Sequence, residues 1–144
     1  TQGRYQESKH FVPGSEAVVV ETPVGRLGLS ICFDVRFPQL YQRLRSLGAD
    51  IISVPAAFTY LTGKAHWQVL LQARAIETQC YILAANQCGW HDQKRQTWGH
   101  SHIINPWGEV QATLKEEPGV ITGEIDLTLV KDIRRRMPLT AVEV

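Results

Sequence analysis

The sequence has neither a long apolar run nor a strong excess of charge. None of its hydrophobic runs approaches the roughly 20 residues that a membrane-spanning helix needs, and its opening residues do not have the pattern of a signal peptide. The formal net charge of +1 predicts neither nucleic acid nor a membrane as a partner. With 144 residues, of which 44% are hydrophobic, the chain is long enough for one domain with its own core.

Cysteine is scarce, and its spacing fits neither a disulfide framework nor a metal site. The three cysteines are an odd number, which favours a reducing compartment, so we expect a cytoplasmic protein. Cys-x-x-Cys and His-x-x-x-His motifs are missing, and His100-x-His102 has no third ligand nearby in sequence. We therefore expect neither a metal nor an organic cofactor.

The hydrophobic periodicity alternates between strand and helix, which is typical of α/β proteins. We expect strands at residues 16–21, 26–32, 49–54, 79–85, 100–105, 109–114 and 120–125, the last three antiparallel. We expect helices at residues 37–47, 64–78 and 127–137. Because no linker, repeat or low-complexity tract interrupts this pattern, we expect residues 1–144 to form a single domain.

Cys32 stands where a predicted strand ends and a helix begins. A turn of this kind exposes the residue at the bend and leaves the following backbone N–H groups free to face a ligand. A cysteine there suits a nucleophile, because positive charge and a helix N-terminus both favour the thiolate. Free cysteines are also often small buried hydrophobes, so the local pattern leaves both interpretations open.

Two further sets of residues bear on a site near Cys32. Open α/β sheets bind ligands beyond the carboxyl ends of their strands, and residues 55–58 and 86–88 both follow predicted strands. The Ala57-Phe58 turn is therefore a candidate pocket wall, although Phe58 suits the core equally well. The sequence is also compatible with a cysteine–histidine dyad. The histidines available for it are His66, His91, His100 and His102.

Several motifs, taken in order, resemble the nitrilase superfamily of carbon–nitrogen hydrolases. Residues 25–38 (GRLGLSICFDVRFP) are similar to the family's nucleophile segment. The form Asp-x-Arg-Phe-Pro, with Ala-Arg-Ala-Ile-Glu downstream, resembles the branch that contains deaminated-glutathione amidase and the ω-amidases. The other matching segments are residues 55–58, 63–67, 71–81, 99–101 and 105–108.

The resemblance implies one half of an αββα sandwich, with a mixed sheet flanked by helices, and a Glu–Lys–Cys triad. It implies that Cys32 is the nucleophile, that the backbone N–H of Phe33 binds the oxyanion, and that Glu7 is a second glutamate near the site. Further substrate contacts implied by the resemblance are Ala57, Phe58 and Thr59.

The chain departs from the family's pattern in three places. The general-base glutamate and the lysine lie upstream of the position of Thr1, and neither Lys9 nor Lys64 stands at the matching place. Gln39 replaces a glutamate that relatives carry, and residues 141–144 do not follow the family's usual sequence. We therefore expect this chain to be the C-terminal part of a longer enzyme.

The resemblance predicts an amidase that releases ammonia from a small α-keto-acid amide, such as deaminated glutathione, through a thioester at Cys32. It also predicts a homodimer or higher oligomer. The alternative is an inactive fragment or pseudoenzyme that serves as an assembly module, because this chain lacks the family's glutamate and lysine.

Overall fold

The computed structural model describes residues 7–139. Its strands are β1 (Val19–Thr22), β2 (Gly25–Leu29), β3 (Ile51–Ser53), β4 (Tyr81–Ala84), β5 (Cys88–Trp90), β6 (Gln96–Trp98), β7 (Ser101–Ile104) and β8 (Val110–Leu114). Its helices are α1 (Pro38–Ser46), α2 (Tyr60–Thr62), α3 (Gln68–Thr78) and α4 (Leu127–Arg136). Single turns of 3₁₀ helix occupy Glu7–Lys9 and Cys32–Arg36, and a π-helical turn occupies Gly63–Trp67.

Six strands form one mixed sheet in the order β1-β2-β3-β4-β7-β8. Strands β2, β3 and β4 run parallel at its centre, because helices cross over between them, and the remaining neighbours pair antiparallel. The predicted α/β class, a mixed sheet with flanking helices, is confirmed. No helix within residues 7–139 is long and apolar enough to cross a membrane.

Helices α1 and α3 pack on one face of the sheet, which we call the α1–α3 face. Ile52, Ile82 and Ile104 stand side by side on it and are fully buried. Leu44 of α1 is also fully buried, and a side chain on Gly28 of β2 would come within 3.3 Å of it. The helical spacing of apolar residues in α1 therefore brings this helix directly onto the strand backbone.

Helix α4 packs on the opposite face, which we call the α4 face. Val130 of α4 is buried there against Ile51 and Tyr81. Along the same strands, Leu83 and Ile103 also point to this face, since successive side chains alternate between the two faces. Leu83 is only half-buried. The side chains of one sheet therefore lie in two different environments.

Residues 120–125 do not form a strand, although they were predicted as the last of three antiparallel strands that begin with β7. They have no ladder partner within residues 7–139. Instead they cross the α4 face, where a side chain on Gly123 would meet Ile103 and where Ile125 packs against the cluster around Tyr81. The apolar residues of this segment thus reflect contacts with the sheet face and not membership of the sheet.

Most other predicted elements begin or end one to three residues from their observed bounds, and the helix predicted at residues 64–78 is divided into the π-helical turn and α3. Two differences bear on the site. Strand β2 ends at Leu29, three residues before the predicted end, because the chain leaves the ladder to form the turn at Cys32. Strands β5 and β6 form a separate hairpin in which Cys88 pairs with Trp98. Each of these strands has only three residues, which is too short for hydrophobic periodicity to show.

Candidate active site

Cys32 lies at the bend between β2 and the 3₁₀ turn that it begins. The backbone N–H of Cys32 donates a hydrogen bond of 2.9 Å to the carbonyl of Pro55, beyond the end of β3. Cys32 has a φ of 47°, in the left-handed region that residues other than glycine seldom adopt. Such a conformation costs about 1–3 kcal/mol and persists only where the surrounding structure imposes it, often at functional sites.

Asp34 closes the turn that follows Cys32. Its carboxylate Oδ2 accepts a 2.9 Å hydrogen bond from the backbone N–H of Ile31, and its own N–H donates to the carbonyl of Ile31 at 3.0 Å. The N–H of Phe33, between these engaged groups, has no acceptor within residues 7–139. A free N–H directly after a cysteine can bind developing negative charge on a substrate oxygen.

Cys32 is half-buried and forms part of the wall of a cavity of about 840 Å³. The carboxyl ends of β3 and β4 supply neighbouring wall segments, so the predicted meeting of three strand ends is confirmed. Cys88 of the β5–β6 hairpin lines the same cavity and is also half-buried. The other lining residues are Ile31, Pro55, Ala56, Ala57, Ala85, Asn86, Gln87, His91, Ser101, Leu114, Glu117, Pro118 and Gly119.

The side chain of Asn86 joins the loops around this cavity. Its Oδ1 accepts a 2.9 Å hydrogen bond from the N–H of Phe58, and its Nδ2 donates to the carbonyl of Gly99 at 2.7 Å. The backbone N–H of Asn86 donates to Oγ of Ser101 at 2.9 Å. Because Asn86 is buried, these bonds fix the relative positions of the loop after β3 and the loop before β7.

The predicted substrate contacts fall in different places. Ala57 lines the cavity beside Cys32, whereas Phe33, Phe58 and Thr59 do not. Phe58 is 5% exposed and its ring packs 4.7 Å from that of Trp67, which is the core position that the sequence left open. Thr59 is exposed and shares a hydrogen bond with another threonine hydroxyl. The binding roles of these residues stay predictions.

Arg36, at the end of the same 3₁₀ turn, was not singled out by sequence. Its guanidinium lies 5.5 Å from the ring centroid of Phe33 and 5.3 Å from that of Phe58. Its Nη1 donates to Nδ1 of His66 at 3.3 Å. Within residues 7–139 no carboxylate pairs with it. Arg36 is thus a cation near the nucleophile turn whose charge is not neutralised there.

The four histidines considered for a dyad have distinct environments. His91 lines the cavity, and its Nε2 lies 2.7 Å from the hydroxyl of Thr97. His100 instead stacks on Trp98 and its Nδ1 donates to that residue's carbonyl. Burial lowers the pKa of His102 to about 4, so this side chain is neutral. His91 is therefore the one histidine of the four that shares the cavity wall with Cys32.

Glu7 begins the first 3₁₀ turn, but its side chain lies outside the part of the chain that the structure describes. Its predicted place beside the site stays untested. Within residues 7–139, no group of three His, Cys, Asp or Glu side chains could hold a metal ion.

Comparison with known sequences identifies the family. A sequence model described as carbon–nitrogen hydrolase matches residues 1–135. The deaminated glutathione amidase of Synechocystis sp. is 56% identical over 136 residues, which cover 93% of this chain and 50% of that protein. The chain spans about half the length of such curated relatives.

Solved structures give the same result. The NitFhit protein of Caenorhabditis elegans superposes with a TM-score of 0.85 at 46% identity, over 95% of this chain and 34% of that chain. A point mutant of the amidase from Nesterenkonia sp. superposes with a TM-score of 0.71 at 32% identity, over 78% of this chain and 43% of that chain. That amidase carries the acetamide moiety of fluoroacetamide covalently on its active-site cysteine. The nitrilase-type fold is confirmed, and the chain belongs to the carbon–nitrogen hydrolase family.

Proposed function

We propose that the complete protein hydrolyses the terminal amide of a small molecule, with Cys32 as its nucleophile. The observation that carries this proposal is the position of Cys32, which is strained, half-buried in the wall of a cavity and followed by the free N–H of Phe33. The relatives named deaminated glutathione amidase support the reaction class. The adduct on the cysteine of the Nesterenkonia amidase supports the nucleophile.

In the proposed reaction, the Cys32 thiolate attacks the amide carbon and the carbonyl oxygen becomes an oxyanion, which accepts a hydrogen bond from the N–H of Phe33. The amide nitrogen takes up a proton, the carbon–nitrogen bond breaks, and ammonia leaves a thioester behind. Water then attacks the thioester carbon, which releases the carboxylic acid and restores the thiol.

The resemblance to the family assigns proton transfer in this reaction to a glutamate and a lysine. The family's glutamate base and lysine are expected upstream of Thr1. We propose that Glu7 is a second carboxylate that orients the lysine or the attacking water. These roles rest on the resemblance of residues 25–38 and the later motifs to the family.

We propose an α-keto-acid amide such as deaminated glutathione as the substrate. Relatives carry the name of this activity. The guanidinium of Arg36, which has no carboxylate partner within residues 7–139, is suited to bind a substrate carboxylate. Phe58 holds the guanidinium by its ring face, and Ala57 and Thr59 are proposed as further contacts of the substrate.

A compartment can be proposed from the thiols. Cys32, Cys80 and Cys88 are all free, and Cys80 is fully buried, where burial raises the pKa of its thiol. Free thiols without a disulfide framework suit a reducing environment. We propose that the protein works in the cytoplasm.

We further propose that the complete protein is a homodimer or higher oligomer that contacts a second copy through the outer side of α3. Val69, Ala73 and Ile76 are exposed in one row of this helix, and Trp107 extends the row, since the adjacent Gly108 packs on Ile76. We call these four residues the α3 patch. It carries no charge, and the small Ala73 at its centre lets two copies of the helix cross closely about a twofold axis.

The oligomer is tested by light scattering of the full-length protein after size exclusion. Val69→Glu places charge in the α3 patch and should shift the mass to that of a monomer. Val120→Glu changes an equally apolar, 87% exposed residue elsewhere and should leave the mass unchanged. A wild-type monomer, or an oligomer that survives Val69→Glu, would rule out this interface.

A second candidate function, kept from the sequence, is a non-catalytic assembly module. The two candidates are separated by ammonia release from an ω-amide of an α-keto acid by the full-length protein. Cys32→Ala should reduce this rate by a factor on the order of a thousand or more. Cys88→Ala, a matched change in the same cavity, should leave most of the rate. Activity that survives Cys32→Ala would refute the nucleophile, and a silent wild-type protein would favour the assembly module.

A further inference from the structure

Arg74 of α3 lies beneath the turn that carries Cys32, outside the cavity. Arg74 is only 7% exposed, and its Nε donates a 2.8 Å hydrogen bond to the carbonyl of Val35. Val35 belongs to the Cys32–Arg36 turn and is fully buried. An arginine on a helix that is remote in sequence thus contacts the backbone three residues after the strained Cys32.

A second set of contacts fixes the orientation of this guanidinium. Nη1 of Arg74 donates to Oε1 of Glu77 at 3.0 Å, one turn along the same helix. The guanidinium carbon lies 5.7 Å from the ring centroid of Tyr41. With the charge paired and one face against the ring, Nε is directed at the carbonyl of Val35.

Tyr41 also reaches the chain on the other side of Cys32. Its hydroxyl lies 2.7 Å from Oγ of Ser30, and that Oγ donates to the carbonyl of Ser53 at 2.8 Å. Burial raises the pKa of Tyr41 to about 12, so the hydroxyl keeps its proton at neutral pH. The backbone is therefore held two residues before Cys32 through Tyr41 and three residues after it through Arg74.

We propose that Arg74 is a positioning residue, which orients the nucleophile turn through the carbonyl of Val35 and so sets the place of the Cys32 sulfur and of the Phe33 N–H. This inference rests on the proposed function, because it assigns Arg74 a task only if Cys32 is the nucleophile. A 3₁₀ turn has few hydrogen bonds of its own and poor geometry. Such a turn holds a left-handed residue only when external contacts impose that conformation.

Arg134 of α4 provides a matched comparison. It too is largely buried, and its Nη2 donates to the carbonyls of Ala49 at 2.8 Å and Gln79 at 3.1 Å. These carbonyls precede β3 and β4, so they lie at the opposite end of the sheet from Cys32. Arg134 therefore stabilises backbone in the same manner as Arg74 but has no connection to the nucleophile turn.

The test compares the rate of Cys32 alkylation by iodoacetamide as a function of pH in the full-length protein, with mass spectrometry to count modification at Cys32 and Cys88. Arg74→Lys keeps the charge but cannot match the planar geometry at Val35 and Glu77. It should slow alkylation of Cys32 on the order of tenfold and change its pH profile, since small displacements of reacting groups have large effects on rate. Arg134→Lys should reproduce the wild-type profile.

Two further variants keep the test decisive if Arg74→Lys folds poorly. Glu77→Gln leaves the bond to Val35 possible but weakens the orientation of the guanidinium, and Tyr41→Phe removes only the hydroxyl that reaches Ser30. Each should slow Cys32 alkylation about two- to threefold without unfolding the protein, a smaller effect than loss of the arginine itself. Hydrogen exchange at the amide of Asp34 should accelerate in the same variants.

A wild-type alkylation profile in Arg74→Lys would overturn the inference. Equal slowing by Arg74→Lys and Arg134→Lys would also overturn it, because general destabilisation would then explain both. A failure of the proposed function has a different signature, since wild-type Cys32 would then react no faster than Cys88. In that case faster exchange at Asp34 in Arg74→Lys alone would still support control of the turn, and unchanged exchange would refute it.

Discussion

The two faces of the sheet differ in how completely the described chain packs them. On the α1–α3 face, fourteen buried hydrophobic residues form one cluster, whereas the α4 face has a cluster of three, around Tyr81 and Val130. Beside that smaller cluster lies a cavity of about 770 Å³, lined by Leu83, Ile103 and residues 119–125. Several wall residues, such as Ser101 and Leu114, are shared with the cavity of Cys32.

This difference teaches that the core of the described chain lies on one face of the sheet, and that the nucleophile turn packs against this core at the carboxyl ends of the strands. The α1–α3 face supplies most of the buried apolar area and also the residues that hold the nucleophile turn, Arg74 and Tyr41. The α4 face borders the second cavity, and Leu83 on this face is only half-buried. A rigid layer therefore supports Cys32 from behind while the reactive side is left accessible to a ligand.

The largest expected effect is a difference in stability loss between alanine substitutions at two adjacent residues of β4, one on each face of the sheet. Ile82→Ala removes a fully buried side chain from the α1–α3 face and should lower the free energy of unfolding by about 2–5 kcal/mol. Leu83→Ala removes a half-buried side chain from the α4 face and should cost roughly 1–2 kcal/mol in this chain, because part of its surface already contacts solvent. Urea unfolding measures both. Equal losses would show that the two faces contribute alike.

A smaller effect concerns pH and His102, whose register with Ala84 places it on the α1–α3 face. Burial, followed by the nearby His100, lowers the pKa of His102 from 6.5 to about 4. Its Nδ1 lies 2.9 Å from the hydroxyl of Thr113, and its Nε2 has no partner within residues 7–139. Protonation therefore puts an uncompensated charge into the core.

The sign of the pH effect follows from the lowered pKa. Below pH 6.5 the unfolded chain binds more protons at His102 than the folded chain does, so stability should fall from about pH 6.5 to about pH 4, by about 2–3 kcal/mol in total. Above pH 6.5, His102 should not contribute to the dependence of the free energy of unfolding on pH. Urea unfolding across this range measures the effect, and His102→Leu, which cannot titrate, should remove that part of the slope. An unchanged slope in His102→Leu would contradict the assignment.

The smallest expected effect tests the strain at Cys32 itself. Cys32→Gly should raise the free energy of unfolding by about 0.5–1 kcal/mol relative to Cys32→Ala, because glycine adopts a φ of 47° without steric cost. Both variants should lack amidase activity. Thermal unfolding of the pair provides the measurement. If alanine were as stable as glycine here, the left-handed conformation would cost nothing, and the need for Arg74 and Tyr41 to impose it would be removed.

The local sequence pattern was sufficient to predict the helices and strands that bury a continuous row of apolar side chains. The helical spacing of Leu40, Tyr41 and Leu44 predicted α1, and the apolar run at residues 79–85 predicted the central strand β4. The strand predicted at residues 120–125 was wrong because that prediction used the same local pattern. An apolar segment that lies across a sheet face has the composition of a strand. Only the pairing partners distinguish the two cases, and they are remote in sequence.

The sequence by itself determined the α/β class, the bend at Cys32 and the resemblance to the family, because each depends on residues that are close together along the chain. The tertiary structure alone decided that Phe58 belongs to the core, that Arg36 stands against its ring, and that Arg74 supports the turn from a helix 39 residues away. Such contacts depend on how α3 packs against the sheet. Packing of that kind arises from the whole core and leaves no local signal in the sequence.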